Sequence, residues 1–321
     1  MHPTRSRATT RSLTAALAVA WLAVGGWAAP AAPVAAVFPG QNGRIAVAGD
    51  FTTAGNPEGD GEIFTIGADG SKLRQLTTND ASDSAAVWSK DRTRIAFVSN
   101  RTSADNPEAD AEVFVMKADG SDVRQLTKNN AADIDPAWSP DGLRLVFATN
   151  RDNNLELYAM DADDGGNLLR LTTSPGSDDD PVWSAAGRRI AFTSQRTGDE
   201  EVFVADAFGA NPTNLTNNPA DDFSPAWSPD GERLAFVSKR DGNAEIYTIA
   251  IAGGGNPTNR SRNRAEDEHP VWSPDGKQIA FARFAGNRSA VWTMRANSAD
   301  QTRLTRDRTG SAAPTDWLAR R

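Results

Sequence analysis

Pro136-Ala137-Trp138-Ser139-Pro140-Asp141-Gly142 is the stretch that decides the fold, because the chain writes it again. Pro225 to Gly231 repeats it letter for letter, Pro270 to Gly276 changes only the alanine to valine, and degenerate copies occupy Val87 to Asp91 and Pro181 to Gly187. The tryptophans at its centre, Trp88, Trp138, Trp183, Trp227, Trp272 and Trp317, are spaced by 50, 45, 44, 45 and 45 residues. Self-similarity at roughly 40 to 50 residues marks a solenoid, an array or a propeller, and the make-up of the unit chooses among them.

Each unit holds four short apolar or β-branched runs. In the fifth these are Ala226 to Ser228, Leu234 to Ser238, Glu245 to Ile249 and Pro257 to Arg260, separated by turn residues such as Pro229-Asp230-Gly231 and Gly253-Gly254-Gly255. No helical period of useful length runs through the repeat. Runs this short, with turns about every 8 to 12 residues, read as strands in hairpins; S-P-D-G joins a proline of preset φ to a glycine free to take positive φ. Four strands per repeat predict a propeller blade.

The ends of the chain predict closure. Gly43-Arg44-Ile45-Ala46-Val47 aligns with the second strand of other units, such as Arg94 to Val98, while the last repeat holds only a first strand, Pro314 to Leu318, bearing Trp317. Pairing the two in one sheet completes a sixth blade and leaves no open edge. The expected fold is all-β: a six-bladed propeller of four-stranded antiparallel blades over residues 37–321, its ring closed by the C-terminal strand joining the N-terminal blade.

Ahead of the repeats, Arg5, Arg7 and Arg11 precede an uncharged stretch from Leu13 to Trp27 and then small residues. That order predicts a secretory signal peptide over residues 1–36, cut after Ala36 or, second, after Ala31. The apolar run of about 15 residues is shorter than the roughly 20 that span a bilayer. The arginines are not twinned, which favours general secretion and an exported protein, periplasmic or extracellular. No second apolar run of membrane length exists, so the mature chain is expected to have no stable membrane insertion.

Composition narrows the chemistry. The 321 residues, 39% hydrophobic with 26 glycines besides, can bury a core without staples. There is no cysteine, which excludes disulfides, thiolate metal sites and a cysteine nucleophile, and His2 and His269 are the only histidines, which removes most zinc and histidine acid–base chemistry. Removal of residues 1–36 leaves 31 basic against 42 acidic residues, a net charge of −11, which argues against a nucleic-acid partner.

Strand order also predicts where function sits. In a four-stranded meander the first-to-second and third-to-fourth connections share one face, here tight turns that read as inert. The second-to-third connections and the links between blades share the other, with longer, more acidic loops. Asp83, Asp133, Asp178, Asp222 and Asp267 stand five residues before the tryptophan, with Ala312 the exception, and form a near-ring at the channel mouth. They are candidate ligands for a cation or a basic peptide, or else turn aspartates bonded to backbone N–H groups. Two matched loops, Asn56 to Glu62 and Asn106 to Glu112, lie on neighbouring blades, and Glu58, Asp60, Glu108 and Asp110 are candidate calcium ligands or a solvated acidic pair. Glu112, Glu156, Glu201 and Glu245 open third strands while Arg101, Arg151, Arg196 and Arg240 follow second strands, which predicts cross-strand ion pairs. The repeat tryptophans read as packing between blades rather than sugar platforms. His269, where other units have Asp135, Asp180 and Ser224, reads as incidental.

The pattern D-x-x-P-x-W-S-P-D-G-x-x-[IL]-[AV]-F-x-[ST]-x-R, followed by E-[ILV]-[FY] and L-T, resembles the propeller repeat of the TolB-like (WD-like, PD-repeat) family over about 280 residues. The resemblance implies an extracytoplasmic propeller that binds a protein at its channel mouth. TolB has an α/β domain ahead of its propeller, whereas the first strand here is expected only a few residues after the cleavage site, so contacts made by that domain are not implied; no G-x-S-x-G hydrolase motif occurs. The expected function is a non-enzymatic scaffold for an extracytoplasmic protein or peptide, with a carboxylate-dependent glycan lyase or hydrolase as the alternative. No cofactor is required, calcium is the one candidate, and closed sheets favour a monomer.

Overall fold

The second strand of each unit reads as an unbroken apolar run, and Arg94–Ser99, Arg-Ile-Ala-Phe-Val-Ser, is buried from Ile95 onward. A strand apolar on both faces must be covered on both, which happens when sheets stack like blades. A computed structural model describes residues 42–252, 255–305 and 310–320; the expected signal peptide and its cleavage site lie outside them. The described residues form six four-stranded antiparallel sheets, and no helix. Blade two is typical, with Asp83–Trp88, Arg94–Ser99, Glu112–Lys117 and the short outer Arg124–Gln125 in sequential order. Blade one is the split one: Ala312–Ala319 pairs antiparallel with Asn42–Gly49, and its tight approach leaves a Cβ on Gly43 only 2.5 Å from the Leu318 carbonyl. The ring is therefore closed by the C-terminal strand.

The first strands begin earlier than the apolar runs suggest. In blade five the strand is Asp222–Trp227: Asp222 pairs Ser238, Phe223 pairs Val237, and the register then slips so that Ala226 pairs Ala235. The slip is a bulge at Ser224-Pro225, where the proline has no N–H for the ladder and Ser224 takes positive φ. Ala85, Asp135, Asp180 and His269 take positive φ at the same place in their blades, between 49° and 56°. Polar residues here are thus part of the strand, and the bulge re-aims them.

The core lies between blades. Trp138, Trp227, Trp272 and Trp317 and the second-strand Phe97, Phe147, Phe192, Phe236 and Phe281 are fully buried, with Trp88 and Trp183 nearly so. Trp138 Nε1 donates to the Val87 carbonyl of the preceding blade at 3.1 Å, and Trp227 Nε1 to that of Val182 at 3.1 Å. S-P-D-G is a self-contained turn: Ser139 Oγ donates to Asp141 Oδ1 at 2.5 Å and accepts the Arg144 N–H at 3.0 Å. The tight-turn face is not blank, however. Leu143, Leu168, Leu169 and Phe208 are exposed on it, and a cleft of about 370 Å³ has a lining that includes Arg188, Arg189, Asp206 and Ile251.

Candidate functional site

The five aspartates of the near-ring open the first strands and are wholly buried. Each meets the arginine that follows the second strand of its own blade: Arg101 on Asp83 at 2.8 Å, Arg151 on Asp133 at 3.0 Å, Arg196 on Asp178 at 2.8 Å and Arg240 on Asp222 at 2.7 Å. In blade six Arg283, within its longer second strand, meets Asp267 at 2.7 Å. Each guanidinium also lies over the aromatic rings of its blade, as Arg101 does 5.4 Å from Phe97 and 5.0 Å from Phe114. Burial raises Asp178, Asp222 and Asp267 despite the arginines, so desolvation dominates these pairs.

The expected arginine–glutamate pairs are corrected by this arrangement. Glu112, Glu156, Glu201 and Glu245 instead accept main-chain N–H groups from the link to the next blade, of Asn129 at 2.9 Å, Ser174 at 2.7 Å, Asn218 at 2.6 Å and Asn263 at 2.6 Å. The physical reason is the division of donors. The link offers each glutamate an N–H and in most blades a hydroxyl, whereas the buried aspartate takes the arginine folded over the aromatic rings together with one neutral donor, as Asn79 Nδ2 at 2.7 Å on Asp83 and Ser194 Oγ at 2.5 Å on Asp178. Arg170, on a fourth strand, reaches Glu156 at 3.1 Å.

The four candidate calcium ligands are not brought together. Glu58 and Glu108 are exposed, whereas Asp60 and Asp110 are half-buried. Burial raises both aspartates; Asp83, Asp80 and Glu58 add to this at Asp60, and Asp133 and Glu108 at Asp110. Among the described residues no group of three or more histidine, aspartate or glutamate side chains is placed to hold a metal ion.

A different set of acids gathers at the channel. First strands of successive blades touch one another around the whole ring, so their bulged residues meet across blade boundaries. Asp180 Oδ2 accepts the hydroxyls of Ser224 of the next blade at 3.0 Å and Thr193 at 3.2 Å. Burial, with Glu200 nearby, pushes Asp180 up to about 6; burial and then the charge of Asp180 push Asp135 well above the carboxylate range. Asp179 is raised by burial and by Asp180, Asp135, Glu200 and Asp178, yet keeps part of its surface open. Burial also raises Glu200 and Glu268. Lys239 is the cation that answers Glu200 and Glu268; it is paired with Asp221 at 3.0 Å, and these acids raise it against the effect of burial. His269 is buried beside them, its Nε2 3.7 Å from Glu268 Oε2.

Such an arrangement concentrates negative potential in a low-dielectric channel and favours an incoming ammonium, guanidinium or proton. The repeat pattern does not show it, because averaging over blades keeps the aspartate present in five of them and discards what differs. The visible clue was departure from the repeat, Asp178-Asp179-Asp180 and Glu268-His269 where other blades carry Ile134, Phe223 or Ala85.

The TolB beta propeller domain model matches residues 102–193 and 169–317, which together span more than half of the chain. No curated protein matches the chain significantly. Among solved structures, TolB from Acinetobacter baumannii superposes with a TM-score of 0.74 at 22% identity, over 87% of this chain and 67% of that one. A putative TolB from Agrobacterium tumefaciens gives 0.65 at 17% identity, over 86% and 92%. Hydrazine synthase from Kuenenia stuttgartiensis gives 0.69 at 14% identity, over 88% and 47%, so the architecture alone does not carry a function. With its repeats, its closed six-blade ring and the matching family model, this chain belongs to the TolB β-propeller domain family.

Proposed function

We propose that the chain is an exported, non-enzymatic scaffold that docks a basic segment of an extracytoplasmic protein at its channel mouth. The observation that carries this reading is the crowd of carboxylates at the channel, Asp135, Asp179, Asp180, Glu200 and Glu268, answered by Lys239. Their mutual repulsion is unfavourable for folding alone, and an arriving cation relieves it. In this reading Asp83, Asp133, Asp178, Asp222 and Asp267 anchor the arginines that shape the rim, and the partner touches the half-open Asp179 and Glu268. The family assignment and the basic-apolar-small order of residues 5–36 support export.

The test is a pull-down from the extracytoplasmic fraction of the source organism, comparing the wild type with D179N/E200Q/E268Q after melting has shown both to be folded. A partner retained by the wild type, released by salt and lost in the variant is the expected result. Equal retention by both proteins would overturn the reading. The buried pair Asp135 and Asp180, both raised, is what the enzymatic alternative would use. Turnover of a polysaccharide that is abolished by Asp180→Asn would favour a glycan hydrolase or lyase instead.

A further inference from the structure

The blades act as controls for one another. In blade three, Asn154 Nδ2 donates to the main-chain carbonyls of Ser174 at 3.0 Å and Gly176 at 2.9 Å; in blade five, Asn243 Nδ2 does the same to Asn263 at 3.1 Å and Ala265 at 3.0 Å. Each asparagine stands two residues before the glutamate that opens its third strand. Blades one and two have half-buried Asp60 and Asp110 at that place, whereas Asp199 of blade four is exposed and the glutamate after it, Glu201, is satisfied by the Thr216 hydroxyl.

The surrounding main chain is bonded alike in all four blades. The N–H of Asp83 reaches the Gly61 carbonyl at 2.6 Å and that of Asp133 the Ala111 carbonyl at 2.7 Å, as Asp178 reaches Leu155 at 2.8 Å and Asp267 reaches Ala244 at 2.9 Å. The N–H groups of Asn79 and Asn129 bond Glu62 Oε1 at 2.8 Å and Glu112 Oε1 at 2.9 Å, as that of Ser174 bonds Glu156 Oε1 at 2.7 Å. Asn79 and Ala81 therefore stand in blade one, and Asn129 and Ala131 in blade two, where blade three has Ser174 and Gly176.

An ionised carboxylate has no hydrogen to give those carbonyls. Asp60 Oδ2 and both Asp110 side-chain oxygens are buried and accept no hydrogen bond. Nor does Oε2 of Glu62 or Glu112, residues that are themselves fully buried. Their counterparts are satisfied: Glu156 Oε2 accepts the Thr172 hydroxyl at 2.7 Å, and Glu245 Oε2 that of Ser261. The Thr77 and Thr127 hydroxyls lie close enough to Glu62 and Glu112 to ease their charge, more loosely than Thr172 holds Glu156 at 2.7 Å, and burial still raises both glutamates. Each place thus gathers two carboxylates with unmet acceptor capacity near main-chain carbonyls, and Arg101 and Arg151 are already engaged by Asp83 and Asp133.

We propose that blades one and two each bind a calcium ion, between Asp60 and Glu62 in one and Asp110 and Glu112 in the other, with the carbonyls of Asn79 and Ala81, and of Asn129 and Ala131, as further oxygen ligands. The dication does the work of the amide hydrogens in blades three and five. An all-oxygen set suits a hard cation, and a loop of mixed carboxylates and carbonyls suits calcium better than the stricter octahedron of magnesium. Each site uses two carboxylates and main-chain oxygens within one blade, so it is not a shared cluster of side chains between the loops.

The test titrates calcium into the full chain after chelator treatment, following heat and melting temperature from about 0.1 to about 1 mM, the range of weak extracellular sites. The expected result is two calcium ions per chain and a rise in melting temperature, one ion for D60N or D110N alone, and none for D60N/D110N. The double variant should also melt above the calcium-free wild type, because asparagine restores the bonds seen in blades three and five. Absence of heat and of any calcium-dependent melting shift in the wild type would overturn the proposal, as would two ions still bound by D60N/D110N. A wild type that ignores calcium but melts higher as pH falls from about 8 to about 6 would assign a proton to these places instead. None of these readouts involves the partner at the channel mouth, so the two proposals stand or fall separately.

Discussion

Arg283 grips Asp267 through two parallel bonds, Nε to Oδ1 and Nη2 to Oδ2, both 2.7 Å, around a carboxylate with no exposed surface. In blades two to five the arginine reaches its aspartate through Nη2 alone, and its Nε is held by a second-strand hydroxyl, so a run of aspartates still becomes internal struts. Removing Arg283 alone leaves a buried charge without its cation, with the Ser261 hydroxyl still easing it. Arg283→Ala is expected to lower stability by about 3 to 5 kcal/mol, while D267L/R283M recovers most of the loss. Urea denaturation of the three proteins checks both statements.

Asp316 stands beside the tryptophan of the closing strand, where the other blades carry alanine or valine. Its buried carboxyl accepts the N–H of Trp88 at 2.8 Å and of Trp317 at 2.7 Å, and burial pushes it up to about 7 even against those bonds. The folded state therefore holds a proton that the unfolded chain releases near its ordinary value of 3.8. The contribution of this group to stability is full below that value and is lost as pH rises towards about 7. Melting curves across that interval should fall less with pH for Asp316→Asn than for the wild type.

Asp179 sits among like charges that favour no fold. Asp179→Asn is expected to raise the melting temperature while weakening capture of a lysine-rich peptide, the trade expected where a binding surface is held under repulsion. Calorimetry and a peptide-binding titration at two salt concentrations check the pair of effects. Destabilisation by this substitution would show that the channel acids are already neutralised.

Ala312–Ala319 supplies the inner strand of blade one and with it Trp317. A chain ending at Gly310 exposes the edge of Asn42–Gly49 and uncovers one side of the apolar cluster of Ile45, Val47 and Trp272. Loss of the cooperative melting transition, with association through the bare edge, is the expected outcome. Light scattering and thermal melting read it directly.

Most of the architecture was legible without coordinates. The tryptophan spacing, the four runs per unit and the unequal ends sufficed for six blades and the closing strand, because every copy of a repeat reports the same local preference for turn and strand. Side-chain partnership was not legible in this way. Arg101 lies closer in sequence to Glu112 than to Asp83, yet it pairs with Asp83, since the choice depends on which donors the link to the next blade brings to each acid. The assembly of Asp135, Asp180 and Glu268 likewise depends on ring closure, which brings bulged residues of separate blades around one channel. Local preference, repeated along the chain, specifies the blade, its turns and the number of copies. The tertiary structure decided which acids are struts, which face the channel and which are left buried without a donor, because burial and Coulomb energy depend on distances across blades that no spacing within a repeat encodes.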